Sequence, residues 1–318
     1  MSKITKALEK AARERLKRQQ DQATITPKFV SIPLVASADH AVPVGHVEID
    51  PHIVAATDPQ SPIAEQYRIL KTNIQSLRLR AGSRVIVVTS ALHGEGKSVT
   101  ALNLALTLAR QEQMRVVLVD ADLRRGSVRQ WLGLTKHQAG LSTVLLRGGE
   151  LNGTLLRLQE PALAVLPSGP MPENPAELLE SSSMKRLLAT LKLQFDVIIV
   201  DAPPVLPVAD PGILAAQADG VLLVVRAGKT QRKTVAQAQA LLSQMKANVL
   251  GCVLTHVEYY LPGYYRYQQQ YRYGVKAAQD DAKVANGRSA EAVTRVLGDG
   301  ATDPSTRAEH GSELPPIA

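Results

Sequence analysis

The chain has 318 residues, 45 % hydrophobic and 21 % charged, the balance of a globular protein rather than a membrane-embedded or low-complexity one. Its one cysteine, Cys252, excludes an internal disulfide and points to a reducing, cytoplasmic setting. No apolar run approaches the ~18–20 residues that span a bilayer, and residues 1–10 lack the apolar stretch of a signal peptide.

The net charge of +8 admits nucleic acid or anionic lipid as partners, yet the excess is uneven. Between residues 1 and 28, Lys3, Lys6, Lys10, Arg13, Arg15, Lys17, Arg18 and Lys28 outnumber Glu9, Glu14 and Asp21, which a solvated helix face explains. Residues 1–20 read as an amphipathic helix with Ile4, Ala7, Leu8, Ala11 and Leu16 near helical spacing. That apolar face is narrow, so docking on a partner or on the core suits it better than insertion into a membrane. Residues 21–60 carry Pro27, Pro33, Pro43, Pro51 and Pro59 and read as a linker with a short extended piece at 29–35.

A compact domain is expected over 61–258. Ser61, Pro62 and Glu65 form a helix start, serine at the cap and proline in the first turn, for a helix running to about Arg80. Short apolar runs follow at 85–89, 116–119, 163–166, 197–200, 221–225 and 249–254, and stretches long enough for helices separate most of them. Such runs predict an α/β fold, a doubly wound, mostly parallel sheet buried on both faces. Residues 259–273 hold a tyrosine cluster. Residues 274–318 are rich in Ala, Asp, Ser, Gly and Pro and read as a disordered tail.

The segment 91–98, Ala-Leu-His-Gly-Glu-Gly-Lys-Ser, follows a predicted strand and opens a predicted helix, the context of a phosphate-binding P-loop with alanine in the first glycine position. Gly94 and Gly96 let the backbone wrap around phosphate oxygens, and the N–H groups of Gly94, Glu95, Gly96, Lys97, Ser98 and Val99 at a helix N-terminus suit an anion. Lys97 reaches the β- and γ-phosphates and the Ser98 hydroxyl takes a place on Mg²⁺, so ATP and Mg²⁺ are the expected ligands. Two strands end in carboxylates, Asp120 with Asp122 in one case and Asp201 in the other. In a parallel sheet such ends share one edge, so the three can converge on the loop, Asp122 and Asp201 toward the metal. A carboxylate near an incoming hydroxyl suits phosphoryl transfer, and Asp120 is placed for it.

Seven of the eight tyrosines, Tyr259, Tyr260, Tyr264, Tyr265, Tyr267, Tyr271 and Tyr273, lie in one stretch interleaved with Arg266 and Arg272; the eighth is Tyr67. The stretch is too polar for a core strand. It could stack on single-stranded nucleic acid, form an adhesive surface, or serve as a mobile acceptor for the enzyme's own phosphoryl transfer, and the last fits its place after the final strand. Fifteen extended residues span about 50 Å, enough for a neighbouring active site.

At this point the chain resembles the bacterial tyrosine autokinases of capsule and exopolysaccharide synthesis, of the free-standing cytoplasmic type. The resemblance covers about 61–273 and rests on the P-loop, Asp120-x-Asp122-x-Arg124, Asp201-x-x-Pro204, Leu166-Pro-Ser-Gly169, Asn174-Pro-Ala-Glu-Leu-Leu179 and the tyrosine cluster, in the family's order. It implies oligomerisation into a ring through Glu65, Arg68 and Lys71, with lysine where the family has arginine. It implies catalytic roles for Lys97, Asp120 and Asp122 and phosphorylation of the tyrosine cluster in trans. It also implies a transmembrane chain-length determinant as activator, a tyrosine phosphatase as partner, recruitment to the inner face of the cytoplasmic membrane, and no nucleic acid. His256 with Thr255 stands where relatives carry asparagine. Positioning ATPases of the Min/Par type are the alternative; they carry a second lysine where this chain has Leu92, and have no reason to cluster tyrosines.

Overall fold

The β-branched runs that end in aspartate or serine become the centre of one sheet. The structure, a computed structural model, describes residues 30–36, 43–77, 84–134, 139–149, 151 and 154–257. The proposed N-terminal helix, the tyrosine cluster and the tail lie outside the described residues. Strands β1 (Val30–Ala36), β2 (Pro43–Ile49), β3 (Arg84–Ser90), β4 (Val116–Asp120), β5 (Leu156–Leu158), β6 (Leu163–Leu166), β7 (Val197–Asp201), β8 (Gly220–Arg226) and β9 (Val249–Thr255) form a nine-stranded sheet in the order β2-β1-β5-β6-β4-β7-β3-β8-β9. From β6 to β9 all neighbours are parallel, while β5, β1 and β2 add an antiparallel flank.

Side chains alternate between two buried faces, as the period of a strand requires. Val85, Val87, Val117, Val119, Ile198 and Val200 join one apolar cluster, and Ile86, Val88, Val116, Leu118, Val197 and Ile199 join the other. The helices, in chain order, are α1 (Val54–Thr57), α2 (Pro62–Ser76), α3 (Lys97–Ala109), α4 (Val128–Trp131), α5 (Leu141–Leu146), α6 (Pro175–Glu180), α7 (Ser182–Gln194), α8 (Asp210–Ala215) and α9 (Arg232–Gln244). Helix α3 is buried along most of its length and lies under the second cluster, with α1 and α2 outside it. The Ser61 hydroxyl accepts the Ala64 N–H at 3.1 Å, the cap that the sequence predicts for α2.

The linker expected over 21–60 is corrected. Within it β1 and β2 pair with each other and β1 pairs with β5, so the extended piece is a sheet strand. The prolines are compatible because Pro43 opens β2, and Pro33 lies beyond the part of β1 that pairs with β5. Downstream, Ile49 and Ile53 are fully buried. The Asn103 side chain of α3 fastens this segment: it accepts the Ala55 N–H at 2.8 Å and donates to the His52 carbonyl at 3.1 Å. Among the described residues no helix is long and apolar enough to cross a membrane.

Candidate active site

Strand β3 runs between β7 and β8, and its chain continues over α3 to β4 on one side, so its carboxyl end opens at a switch point of the sheet. There residues 91–96 form the turn. Gly94 and Gly96 hold φ of +76° and +93°, conformations that a side chain disfavours, and nothing stands within 4 Å of a Cβ added at Gly94. Helix α3 starts at Lys97, and the Gly96 carbonyl accepts the Thr100 N–H at 2.9 Å. A cradle of this shape with N–H groups at a helix start is an anion site.

The three strand-end carboxylates do converge. Asp120 and Asp201 are register partners across β4 and β7. Lys97 Nζ lies 2.9 Å from Asp122 Oδ2, 3.5 Å from Asp201 Oδ1 and 3.1 Å from Ser98 Oγ. Asp120, Asp122 and Asp201 are all buried. Burial disfavours the Lys97 ammonium, but the charges of Asp201 and Asp122 outweigh it and hold its pKa above the usual lysine value. Burial pushes Asp120 well above the usual carboxylate range, reinforced by the charge of Asp201 and opposed by Lys97. Asp201 is also raised, by burial first, with Lys97 opposing.

The carboxylates are held differently. Asp120 accepts the N–H of Asp122 at 3.3 Å and of Val128 at 3.2 Å, one on each oxygen. Asp122 Oδ1 accepts the Arg125 N–H at 2.9 Å. Both buried oxygens of Asp201 lack a hydrogen-bond partner. A buried carboxylate left in that state suits a ligand that brings positive charge. Among the described residues no three His, Cys, Asp or Glu side chains form a ready metal cage. Mg²⁺ fits such a partial set, since it is held by one or two carboxylates together with substrate phosphates and water. Ser98, Asp122 and Asp201 are the residues that would hold it.

Several contacts were beyond sequence reasoning. Arg124 makes a two-pronged ion pair with the buried Asp210 at the start of α8, at 2.8 and 3.0 Å. The Asp210-Pro211 pair announces a helix start but not this partner. Gly126 leaves no room for a side chain, because an added Cβ would stand 1.9 Å from Ser168 Oγ and 3.0 Å from Asp120 Oδ2. Thus the Gly126 backbone sits against both the Ser168 side chain and the Asp120 carboxylate. The Glu95 carboxylate accepts the Thr230 hydroxyl, and the Thr255 hydroxyl donates to the Glu95 carbonyl at 2.8 Å. His256 follows in a left-handed conformation, φ +57°.

Glu65, Arg68 and Lys71 lie on α2. Arg68 bonds Glu65 at 2.9 Å and the Pro59 carbonyl at 2.9 and 3.1 Å, so its fork is engaged within its own chain. A cavity of about 560 Å³, lined by Arg110, Arg115, Arg157 and Phe195 among others, opens at the opposite end of β4 and β6 and contains no residue of the site.

A phosphate loop at the end of a central parallel strand, faced by carboxylates from β7 beside it and from β4 next to β7, defines a P-loop nucleotide-binding protein. A family model described as an AAA domain matches residues 83–250. The chain is 40 % identical over 220 residues to the tyrosine-protein kinase YwqD of Bacillus subtilis, covering 67 % of this chain and 91 % of that protein. It is 34 % identical over 193 residues to the tyrosine-protein kinase CpsD of Streptococcus agalactiae, covering 61 % of this chain and 83 % of that one. The kinase domain of Escherichia coli tyrosine kinase ETK superposes with a TM-score of 0.60 at 31 % identity, covering 64 % of this chain and 78 % of that domain. The chain belongs to the bacterial tyrosine-protein kinases.

Proposed function

We propose that this kinase moves the γ-phosphoryl group of ATP onto the tyrosines of its own 259–273 segment, in trans within an oligomer, and so regulates exopolysaccharide or capsule synthesis and export. The observation that carries the reading is the meeting of Lys97 with Asp122 and Asp201 beside a phosphate loop whose rim is also touched by the last strand. The chain leaves β9 four residues before Tyr259, at Thr255, which bonds the loop's own Glu95 carbonyl. The described chain therefore ends next to the phosphate loop, a few residues before the first acceptor in sequence.

The N–H groups of residues 94–99 hold phosphate oxygens, and the Lys97 ammonium turns from its carboxylates to the β- and γ-phosphates. Ser98, Asp122 and Asp201 would hold Mg²⁺, which would supply charge neutralisation to those oxygens. Asp120 accepts the proton of the tyrosine hydroxyl. Its raised pKa brings it nearer the working pH, which makes it a better base than an exposed aspartate. Each oxygen of Asp120 takes one N–H and so retains capacity for that proton.

Each phosphate adds about −1.5 to −2 charge at pH 7, so a modified tail leaves an anion site and repels its neighbours. Assembly through Glu65, Arg68 and Lys71 requires Arg68 to exchange its internal partners for those of a second copy. A transmembrane chain-length determinant acts as activator and recruits the kinase to the inner face of the cytoplasmic membrane, and a tyrosine phosphatase resets the tail. The test is incubation of the full chain with ATP and Mg²⁺, with that activator present, followed by mass mapping. Phosphate on Tyr259–Tyr273 in the unsubstituted protein and none in Lys97→Met is expected. ATP turnover without any tyrosine labelling overturns the reading.

A further inference from the structure

Glu95 sits in the middle of the phosphate loop, where a carboxylate should repel the ligand the loop is built for. Yet it is only 2 % exposed, and its side chain points into a network rather than into solvent. One oxygen accepts the Leu92 N–H at 2.9 Å, tying the loop's entry to its centre. The other accepts the hydroxyl of Thr230, from the connection between β8 and α9 and far away in sequence. Nearby, Arg226 donates to the Gly94 carbonyl at 3.4 Å and Thr255 donates to the Glu95 carbonyl at 2.8 Å.

The loop has reason to need such ties. Glycines flank Glu95 on both sides, each in a left-handed conformation, and glycine loses more conformational freedom on ordering than any other residue. An unfastened loop must be ordered by the nucleotide itself, which weakens binding. The Leu92 N–H lies before the residues whose N–H groups face phosphate, so the bond to Glu95 takes no donor from the cradle.

We propose that Thr230 is a positioning residue for the nucleotide, acting through Glu95 to hold the phosphate loop in its ligand-ready shape. This rests on the nucleotide-binding part of the reading above and not on the identity of the acceptor. The hydroxyl directs the Glu95 carboxylate away from the phosphates while the carboxylate closes the loop on Leu92. Serine at 230 keeps the donor; alanine removes it. Glutamine at 95 keeps an acceptor for Leu92 and turns an amide donor toward the Thr230 oxygen, without the negative charge.

The experiment uses the full chain and titrates MgATP calorimetrically, with melting without nucleotide and tail phosphorylation measured in parallel. Thr230→Ala and Glu95→Ala are expected to weaken MgATP by about tenfold or more, the scale of one hydrogen bond to a charged group. Thr230→Ser should bind within about twofold of the unsubstituted protein, as hydroxyl geometry is retained. Glu95→Gln should bind several-fold tighter than Glu95→Ala. The double alanine variant should be no weaker than Glu95→Ala alone, since both act through one contact. In turnover of Thr230→Ala the loss should fall on KM for ATP, with kcat at saturation kept. Thr230→Ala binding like the unsubstituted protein overturns the proposal, as does a doubled loss in the double variant. So does a Thr230→Ser variant that melts normally yet binds as poorly as Thr230→Ala. Normal MgATP binding without tail phosphorylation in the unsubstituted protein sinks the autokinase reading and leaves the loop tie standing.

Discussion

The two halves of the sheet do different work. From β6 to β9 every strand is parallel, all but the edge strand β9 are buried on both faces, and the described residues assigned to phosphate, metal or base lie on or just beyond the carboxyl ends of β3, β4 and β7. The β5, β1 and β2 flank is antiparallel, ends at an edge, and contributes none of them. The difference teaches that chemistry is concentrated where parallel register brings chain ends together. The flank, by contrast, covers core that the parallel strands leave open.

The largest effect should come from Lys97→Met. Beyond ending phosphoryl transfer, it leaves Asp122 and Asp201 buried without their cation, at about 3–5 kcal/mol of stability. Denaturant unfolding should show that loss, and adding Asp122→Asn should recover part of it without recovering activity. If Lys97→Met unfolds like the parent, the lysine is not the local counter-charge. On the flank, Leu158→Ala removes a side chain that is 1 % exposed and should cost about 2–5 kcal/mol. Well below its melting point it should bind MgATP as the parent does; a weakened affinity would break the division between the halves.

Asp201→Asn is expected to move stability the other way, by about 0.5–2 kcal/mol, because burial disfavours the Asp201 charge more than the Lys97 ammonium favours it. The folded pKa of Asp201 is raised, so its contribution is fully present below the unfolded value and is lost as pH rises through the folded one. The nucleotide-free protein should therefore gain stability as pH falls from neutral toward that raised value, and Asp201→Asn should flatten the slope. Melting curves across pH check this, together with loss of any Mg²⁺-induced rise in Tm. Smallest is Arg68→Ala. Its ion pair with Glu65 is exposed, worth about 0–1 kcal/mol, so the monomer should barely change while light scattering reports reduced assembly.

Much of the parallel half was legible in the sequence. The six apolar runs are its six strands; the five inner ones, buried on both faces, must be continuously apolar, and β-branched residues stand out. The flank was not. Strand β5 is three residues with Arg157 exposed at its centre, and β1 and β2 carry prolines that read as breaks. The phosphate loop and the strand-end aspartates were legible because local spacing defines them. Thr230 carries no such signal, as its meaning comes only from the approach of β8 and β9 to the loop. Arg124 belonged to a recognised motif, but its hold on Asp210 depends on two elements that meet only after folding.

Gly126 touches no phosphate, donates no proton and bonds no metal, yet its missing side chain is what lets Ser168 and Asp120 share one spot. In a saturating substitution scan scored by growth or by phosphotyrosine, this position should be as blank as the lysine of the phosphate loop. Intolerance there would be a record of crowding, and a map of function drawn from such a scan would colour as reactive a place whose whole contribution is to be hollow.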